Sequence, residues 1–316
     1  MAKQSSQPKS QTSGQKSQKG GVSLLSPNSK VSITLPKKAV ASSYQKNLEK
    51  LAKQIKVAGF RPGKVPAKVA EEQLGQAHLI EHVLDELLPE AYRQALKNSK
   101  KTPITQPEFR VIAAKLGEDW VVEATFAELP TVKINQYQRH VKAGKQSAKK
   151  ALTKRLKTAK TKKAGSQDTV VTQLTPEEEK ELNLQHIFRQ LVLELKPQVP
   201  EMLLKHETQH EFEHLVGQLK QLNITVDDYL KRRNSTMEQL SQELAVQTLN
   251  RLQLDLVLGA IARQEKLTVM DQDKENYFSQ LKDEKQREQL KKDAHYLGHL
   301  ETNLLKQKVV NYLLTL

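Results

Sequence analysis

Two stretches of the chain hold side chains whose types and spacing could do chemistry. "HETQHEFEH" sets His206, His210 and His214 at successive intervals of four and contains H-E-x-x-H twice over, with Glu207 and Glu211 as the acidic members. On a helix that spacing can place two imidazoles on one zinc ion, with the glutamate as general base for hydrolysis. His78/His82 and His295/His299 repeat the interval. A helical plot argues against catalysis, because Leu204, Phe212, Leu215, Leu219 and Leu222 gather on one side and the three histidines lie nearly opposite. A hydrolytic zinc needs a shielded cleft and supporting hydrogen bonds, not the solvated back of a helix. All three histidine groups therefore read as polar faces open to adventitious metal capture, with no metal site and no catalytic residue assigned. No nucleophilic triad or phosphate-binding glycine loop is visible, and the absence of cysteine removes thiol chemistry and disulfides.

The second stretch is "GFRPGKVP", residues 59–66. Gly59 and Gly63 permit positive φ for a tight bend, and Pro62 and Pro66 stiffen it. Phe60 beside Arg61 offers apolar contact together with phosphate or carboxylate pairing, and Lys64 adds a further cation, a combination common in interface anchors. The competing reading is that Phe60 pins two helices together while Arg61 is solvated.

The elements that must position these residues follow from periodicity. Val31, Ile33 and Leu35 alternate with polar residues as in a half-buried strand. Val40, Tyr44, Leu48, Leu51 and Ile55 recur at intervals of four and three and predict a helix. After the loop, Pro66 suits the first turn of a second helix whose apolar side is Val69, Leu74, Ile80, Leu84 and Leu87. A short helix is expected around Ala91–Leu96. Phe109, Val111 and Ala113 then alternate, "LGED" makes a turn, and Trp120, Val122, Ala124 and Phe126 alternate on the return, predicting a hairpin. From Thr175, an N-cap candidate followed by Pro176 and Glu177–Glu179, everything reads helical. Breaks are expected near Pro197 and Pro200, "LNITVDDY", "EKLTVMDQD" and Gly298, and Val257, Leu258 and Ile261 mark a buried central helix. Narrow apolar stripes on the other helices suggest arms or hairpins.

Charge is distributed unevenly. Residues 1–48 carry eight lysines and no acid, and residues 139–163 carry eleven Lys or Arg and no acid; together they hold +19 against +15 for the whole chain, leaving −4 elsewhere. A polyanion is thus a plausible partner for those two stretches only. Residues 1–28 have too few apolar groups to offset ordering and are expected to be disordered. Residues 136–172, rich in Ala and Lys, read either as a solvated helix or as a flexible basic linker, since lysines at helical spacing repel. The start lacks an apolar core of signal-peptide length and no stretch could span a bilayer, so a cytoplasmic protein with no membrane partner is expected.

In this context the loop resembles the ribosome-docking loop of the trigger factor family, whose Gly-Phe-Arg-x-Gly-x-x-Pro signature is met at Gly59, Phe60, Arg61, Gly63 and Pro66. "KLGEDWVVEATFAELPTVKI" is similar to the last hairpin of the family's N-terminal domain, and "VPEMLL", "LVLGAIARQEKLTV" and the helices between them to its C-terminal domain. The resemblance implies an α+β ribosome-binding domain over 29–135 and a mainly α-helical chaperone domain with extended arms over 173–316. Residues 1–28 would be a basic tail and 136–172 a basic linker. The implied function is a non-enzymatic, ATP-independent chaperone that takes no cofactor and meets nascent chains at the ribosomal exit tunnel. Its partners would be the large ribosomal subunit, both protein and rRNA, and unfolded nascent polypeptides, with a homodimer as one possible state away from the ribosome. Ribosome contact would fall to Gly59, Phe60, Arg61, Pro62, Gly63 and Lys64, whereas client-binding residues are not indicated. Pro62 stands where some members carry Lys, so one docking charge is absent unless Lys64 replaces it. Many members also carry an FKBP-type prolyl isomerase domain between the two regions. Fewer than forty Lys- and Ala-rich residues with a single aromatic, Tyr137, occupy that place here, too few for such a fold. The alternative function is an RNA-binding or ribosome-assembly factor acting through the basic stretches.

Overall fold

The computed structural model describes residues 23–58, 60, 64–162 and 175–316. The chain opens with β1 (Leu25–Ser26) and β2 (Ser29–Leu35), then α1 (Lys37–Ala52), α2 (Ala67–Leu74), α3 (Gln76–Ser99), β3 (Glu108–Ala113) and β4 (Trp120–Phe126). β2, β4 and β3 form an antiparallel sheet in that order, paired from Ser29–Phe126 to Leu35–Trp120 on one side of β4 and from Glu108–Thr125 on the other. Alternation in the central strand places Trp120, Val122, Ala124 and Phe126 wholly inside, where Ile33 and Leu35 of β2 join them. Val40, Tyr44 and Leu48 of α1 and Leu79 and Val83 of α3 close this core. The β3–β4 connection turns at Gly117 with φ of 86°, a conformation that favours glycine, and the Trp120 indole donates to the Lys115 carbonyl at 3.1 Å.

Three local expectations change. The single helix expected after Pro66 is split at Gly75 (φ 77°), and its buried residues are Ala70, Leu79 and Val83, while Val69, Leu74, Ile80, Leu84 and Leu87 flank the core half-buried. The short helix around Ala91–Leu96 is part of the long α3, which runs through Pro89. Strand β3 is exposed along its whole length, with Phe109 at 43% and Val111 at 45%. It is an edge strand, and Tyr92 of α3 reaches across to it, meeting the Phe109 ring edge to face at 5.4 Å.

The second half is helical: α4 (Tyr137–Lys162), α5 (Pro176–Leu195), the short β5 (Val199–Pro200), α6 (Glu201–Gln221), α7 (Val226–Arg233), α8 (Met237–Gln264), α9 (Asp271–Ser279), α10 (Glu284–Lys292) and α11 (Ala294–Thr315). As expected, Thr175 caps α5 in a reciprocal box with Glu178, and Val257, Leu258 and Ile261 of α8 are buried. Gly298 lies within α11; the break comes instead at Asp293, whose carboxylate accepts from the His295 and Tyr296 amides.

The region read as a basic linker, helical or flexible, is a helix through residue 162, and its first three turns are packed. Tyr137, Val141, Gly144 and Ala148, at intervals of four, three and four, form one buried stripe against α5, and Tyr137 and Val141 join Ile187, Leu191, Val257, Ile261, Val309 and Leu313 in a second core. The sequence shows few large apolar residues here because the contact is made through small ones. A Cβ on Gly144 would lie 2.6 Å from the Ile187 Cα, so hydrogen at this position is what lets the helices touch. The Tyr137 hydroxyl donates to Glu265 at 2.7 Å and lies 3.3 Å from the Tyr312 hydroxyl; burial, and then these partners, push its pKa up. Residues 163–172 of the expected linker lie outside the described residues.

The boundary of the expected N-terminal tail also moves. β1 pairs in parallel with β5, and Asn28 accepts from the Met202 amide at 2.8 Å. Residues 25–28 thus strap the sheet unit to the start of α6, where Phe126, Ala127 and Met202 share a small core and Lys205 pairs with Glu108 at 2.7 Å. Residues 1–22 lie outside the described residues.

Candidate functional site

The loop between α1 and α2 is built on a fixed stem. Ile55 and Val57 pack against the first core as the chain leaves α1, and Val65 is buried where it returns. Ser43, Lys46 and Asn47 of α1 all donate to the Glu86 carboxylate of α3, at 2.7, 2.5 and 2.8 Å. The Lys46 hydrogen bond, then those of Ser43 and Asn47, hold the Glu86 pKa down at about 2. The Tyr44 hydroxyl donates to Glu71 of α2 at 2.7 Å, and burial followed by that carboxylate raises its pKa to about 12. Both helices that flank the loop are therefore tied to the same body. Between them Phe60 is 41% exposed, with its amide donating to the Val57 carbonyl at 3.1 Å. A phenyl ring left at the surface beside a braced stem offers apolar area without a folding role to account for it. Lys64 is exposed as well. Gly59, Arg61, Pro62 and Gly63 lie outside the described residues.

A different surface lies in the helical half. Leu204, Thr208 and Phe212 of α6 face Met237, Leu244 and Ala245 of α8 across an open groove of about 530 Å³ that Leu25 of the strap also lines. Sequence reading assigned Leu204 and Phe212 to the packed side of their helix. Their two-turn spacing was visible, as was the seven-residue spacing of Met237 and Leu244, but not that the two stripes face each other across a gap. Leu193, Leu222, Val246 and Met270 add scattered exposed apolar surface. Leu222, expected on the packed side, caps the end of α6 and is 67% exposed.

The histidines of α6 lie at or near its surface. His210 and His214 are exposed and His206 is half-buried. Glu207 and Glu211, the glutamates of the two motifs, are both held by Arg251 of α8, at 2.8 and 3.1 Å. Among the described residues no three His, Cys, Asp or Glu side chains converge to hold a metal, and no helix is long and apolar enough to cross a membrane. On α4 the buried stripe leaves Arg139, Lys142, Lys149 and Lys150 exposed, while Lys145 donates to the Leu314 carbonyl at 2.8 Å.

Comparison with known proteins agrees with this architecture. The family model "Bacterial trigger factor protein (TF)", for the N-terminal region, matches residues 22–162, and the model for the "Bacterial trigger factor protein (TF) C-terminus" matches residues 163–315. The two matches adjoin, with no residue between them. The chain is 37% identical over 108 residues to a trigger factor of Staphylococcus epidermidis, which is 34% of this chain and 25% of that protein, and 36% identical over 108 residues to one of Staphylococcus carnosus. The aligned stretch thus spans a quarter of the length of the Staphylococcus epidermidis relative. A solved trigger factor chaperone, from work on promiscuous substrate recognition in folding and assembly, superposes with a TM-score of 0.54 over 90% of this chain and 96% of that one at 15% identity, a likeness of fold. With its α+β N-terminal unit and helical C-terminal half matched in turn, over residues 22–315 in all, the chain belongs to the trigger factor family.

Proposed function

We propose that this protein is a ribosome-associated, ATP-independent chaperone that acts in the cytoplasm, receives nascent chains near the exit tunnel, and lacks prolyl isomerase activity. The observation that carries the proposal is the exposed Phe60 on a stem braced by Glu86 and Glu71, within a chain of this family. Docking is assigned to Phe60 and Arg61, with Gly59, Pro62, Gly63 and Lys64 shaping and charging the loop. The partner at this site is the large ribosomal subunit. The groove between α6 and α8, with the scattered apolar residues around it, suits many weak contacts to unfolded chains, whose sum gives avidity without sequence specificity. The two family matches adjoin at residues 162 and 163 with no stretch between them long enough for an isomerase domain, which supports a form without that activity. A homodimer away from the ribosome is compatible with the same apolar surface.

Cosedimentation with ribosomes tests the docking assignment. Phe60→Ala combined with Arg61→Ala should leave the circular dichroism spectrum unchanged and remove most ribosome binding. Undiminished pelleting would remove the loop from the mechanism. A second reading, an RNA-binding or assembly factor, draws on the cations that α4 leaves exposed. It predicts ribosome association that survives the loop variant but falls when those cations are replaced.

A further inference from the structure

Seven of the nine histidines stand four residues from another histidine. Among the described residues one of these pairs has its ring nitrogens within hydrogen-bonding distance of each other. His295 and His299, on the exposed side of the first two turns of α11, approach Nε2 to Nε2 at 3.3 Å, with their rings edge to face and centroids 4.5 Å apart. The His78 and His82 rings also meet edge to face, at 4.6 Å, but His78 directs Nδ1 toward the Glu81 carboxylate at 3.8 Å.

The separation has a chemical meaning. Two nitrogen ligands at about 2.0–2.1 Å from a tetrahedral zinc ion stand about 3.3–3.4 Å apart. In a square-planar arrangement at similar bond lengths they would stand about 2.9 Å apart. The observed 3.3 Å equals the tetrahedral separation and is also the length of the N–H···N hydrogen bond the two rings share, so an ion would take the place of that proton. His299 also lines an open groove of about 440 Å³ with Tyr277, Tyr296, Asn303 and Lys306. The one cation in that lining, Lys306, is held by Asp255 at 2.7 Å, and the two tyrosine hydroxyls engage each other at 2.9 Å. The cation on the His299 side is therefore already paired, and both histidines are exposed, so solvent has access to complete the coordination.

We propose that His295 and His299 form a two-histidine Zn²⁺ site whose remaining positions are filled by water. The ion would tie the first turn of α11 to the second. That helix carries Val309 and Leu313 into the second core, so zinc would fasten its outer end as packing fastens its inner one. With two protein ligands and water in the remaining positions, the ion would be held more weakly than in a four-ligand structural site.

Isothermal titration of untagged full-length protein with zinc chloride tests this. One equivalent should bind with micromolar affinity, and the His295 and His299 ring protons should be the first to shift in the NMR spectrum. His295→Gln and His299→Gln should each weaken binding at least tenfold, while His82→Gln and His210→Gln leave it unchanged. All four positions are at or near the surface, so circular dichroism should confirm folding in each case. No uptake would mean that the pair shares only a hydrogen bond. Uptake reduced equally by all four substitutions would mean indiscriminate capture by surface imidazoles. Either result overturns the proposal.

Discussion

Gly144 is the position where a single added carbon should matter most. An alanine Cβ there would meet the Ile187 Cα at 2.6 Å, its nitrogen at 3.0 Å and the His186 carbonyl oxygen at 3.1 Å. Carbon atoms settle at about 3.5–4.0 Å, so α5 must retreat by about 1 Å. The obstruction is backbone, which has no alternative rotamer, and Ile187 belongs to the same core as Tyr137, Val141 and Leu191. Overpacking costs about 1–3 kcal/mol, and the upper end applies where nothing can rotate away. Alanine recovers about 1 kcal/mol of helix propensity over glycine. The net loss is then about 2 kcal/mol. Gly217, about one turn from the C-terminal end of α6, is the control, because its Cβ would meet nothing within 4 Å, and Gly217→Ala should gain up to about 1 kcal/mol. Urea unfolding separates the two halves of the molecule. The sole tryptophan, Trp120, lies in the first core and reports on the sheet unit by fluorescence, whereas circular dichroism at 222 nm weights the helical half. Gly144→Ala should lower the circular dichroism midpoint and leave the fluorescence midpoint in place; Gly217→Ala should raise the former. A Gly144→Ala protein as stable as Gly217→Ala would refute the close contact between α4 and α5.

Further outcomes follow from the same structure. The Glu86 pKa is depressed in the folded state, so its contribution is fully present above the ordinary glutamate pKa of about 4.3 and fades as pH falls toward about 2. The stability gap between the natural protein and Glu86→Gln should therefore be widest near pH 7 and close by pH 2, and a gap independent of pH would count against the carboxylate as the tie between α1 and α3. Replacing Lys142, Lys149 and Lys150 with Gln, or deleting residues 1–22, which spares the strap, should weaken ribosome binding and flatten its dependence on salt, because fewer counterions are released; an unchanged slope would show that these cations do not touch RNA. Glu207→Ala and His210→Ala should leave suppression of aggregation intact and cost no more than about 1 kcal/mol of stability, since the Arg251 pairs lie at the surface. A chelator-sensitive protease activity lost in both variants would reinstate the hydrolytic reading of that helix. The protein should not accelerate cis–trans exchange of a prolyl peptide above background in a coupled peptidase assay.

The sequence alone determined the elements whose signal is local. Alternation at 31–35 and 120–126 is the pleat of two strands in one sheet, and it specifies which faces are buried because successive side chains must point to opposite sides. The Thr175 cap was equally legible, since its hydroxyl serves an amide three residues away. The Phe-Arg loop could be located from the glycines and prolines that rule out regular structure there. What only the tertiary structure decided are relations between distant segments. Strand β3 alternates as clearly as β4, yet it is exposed because it lies at the sheet edge, beyond the cover of α3. Helix α4 carries too little apolar mass to announce a core, and it is buried because glycine and alanine bring backbones together, a stabilisation that depends on distance rather than hydrophobicity. The strap at 25–28 gains its hydrogen bonds only from residues 199–202, more than 170 positions away. The groove of Leu204, Phe212, Met237 and Leu244 likewise exists only once α6 and α8 lie side by side, since periodicity shows which residues are apolar but not which of them the fold leaves uncovered.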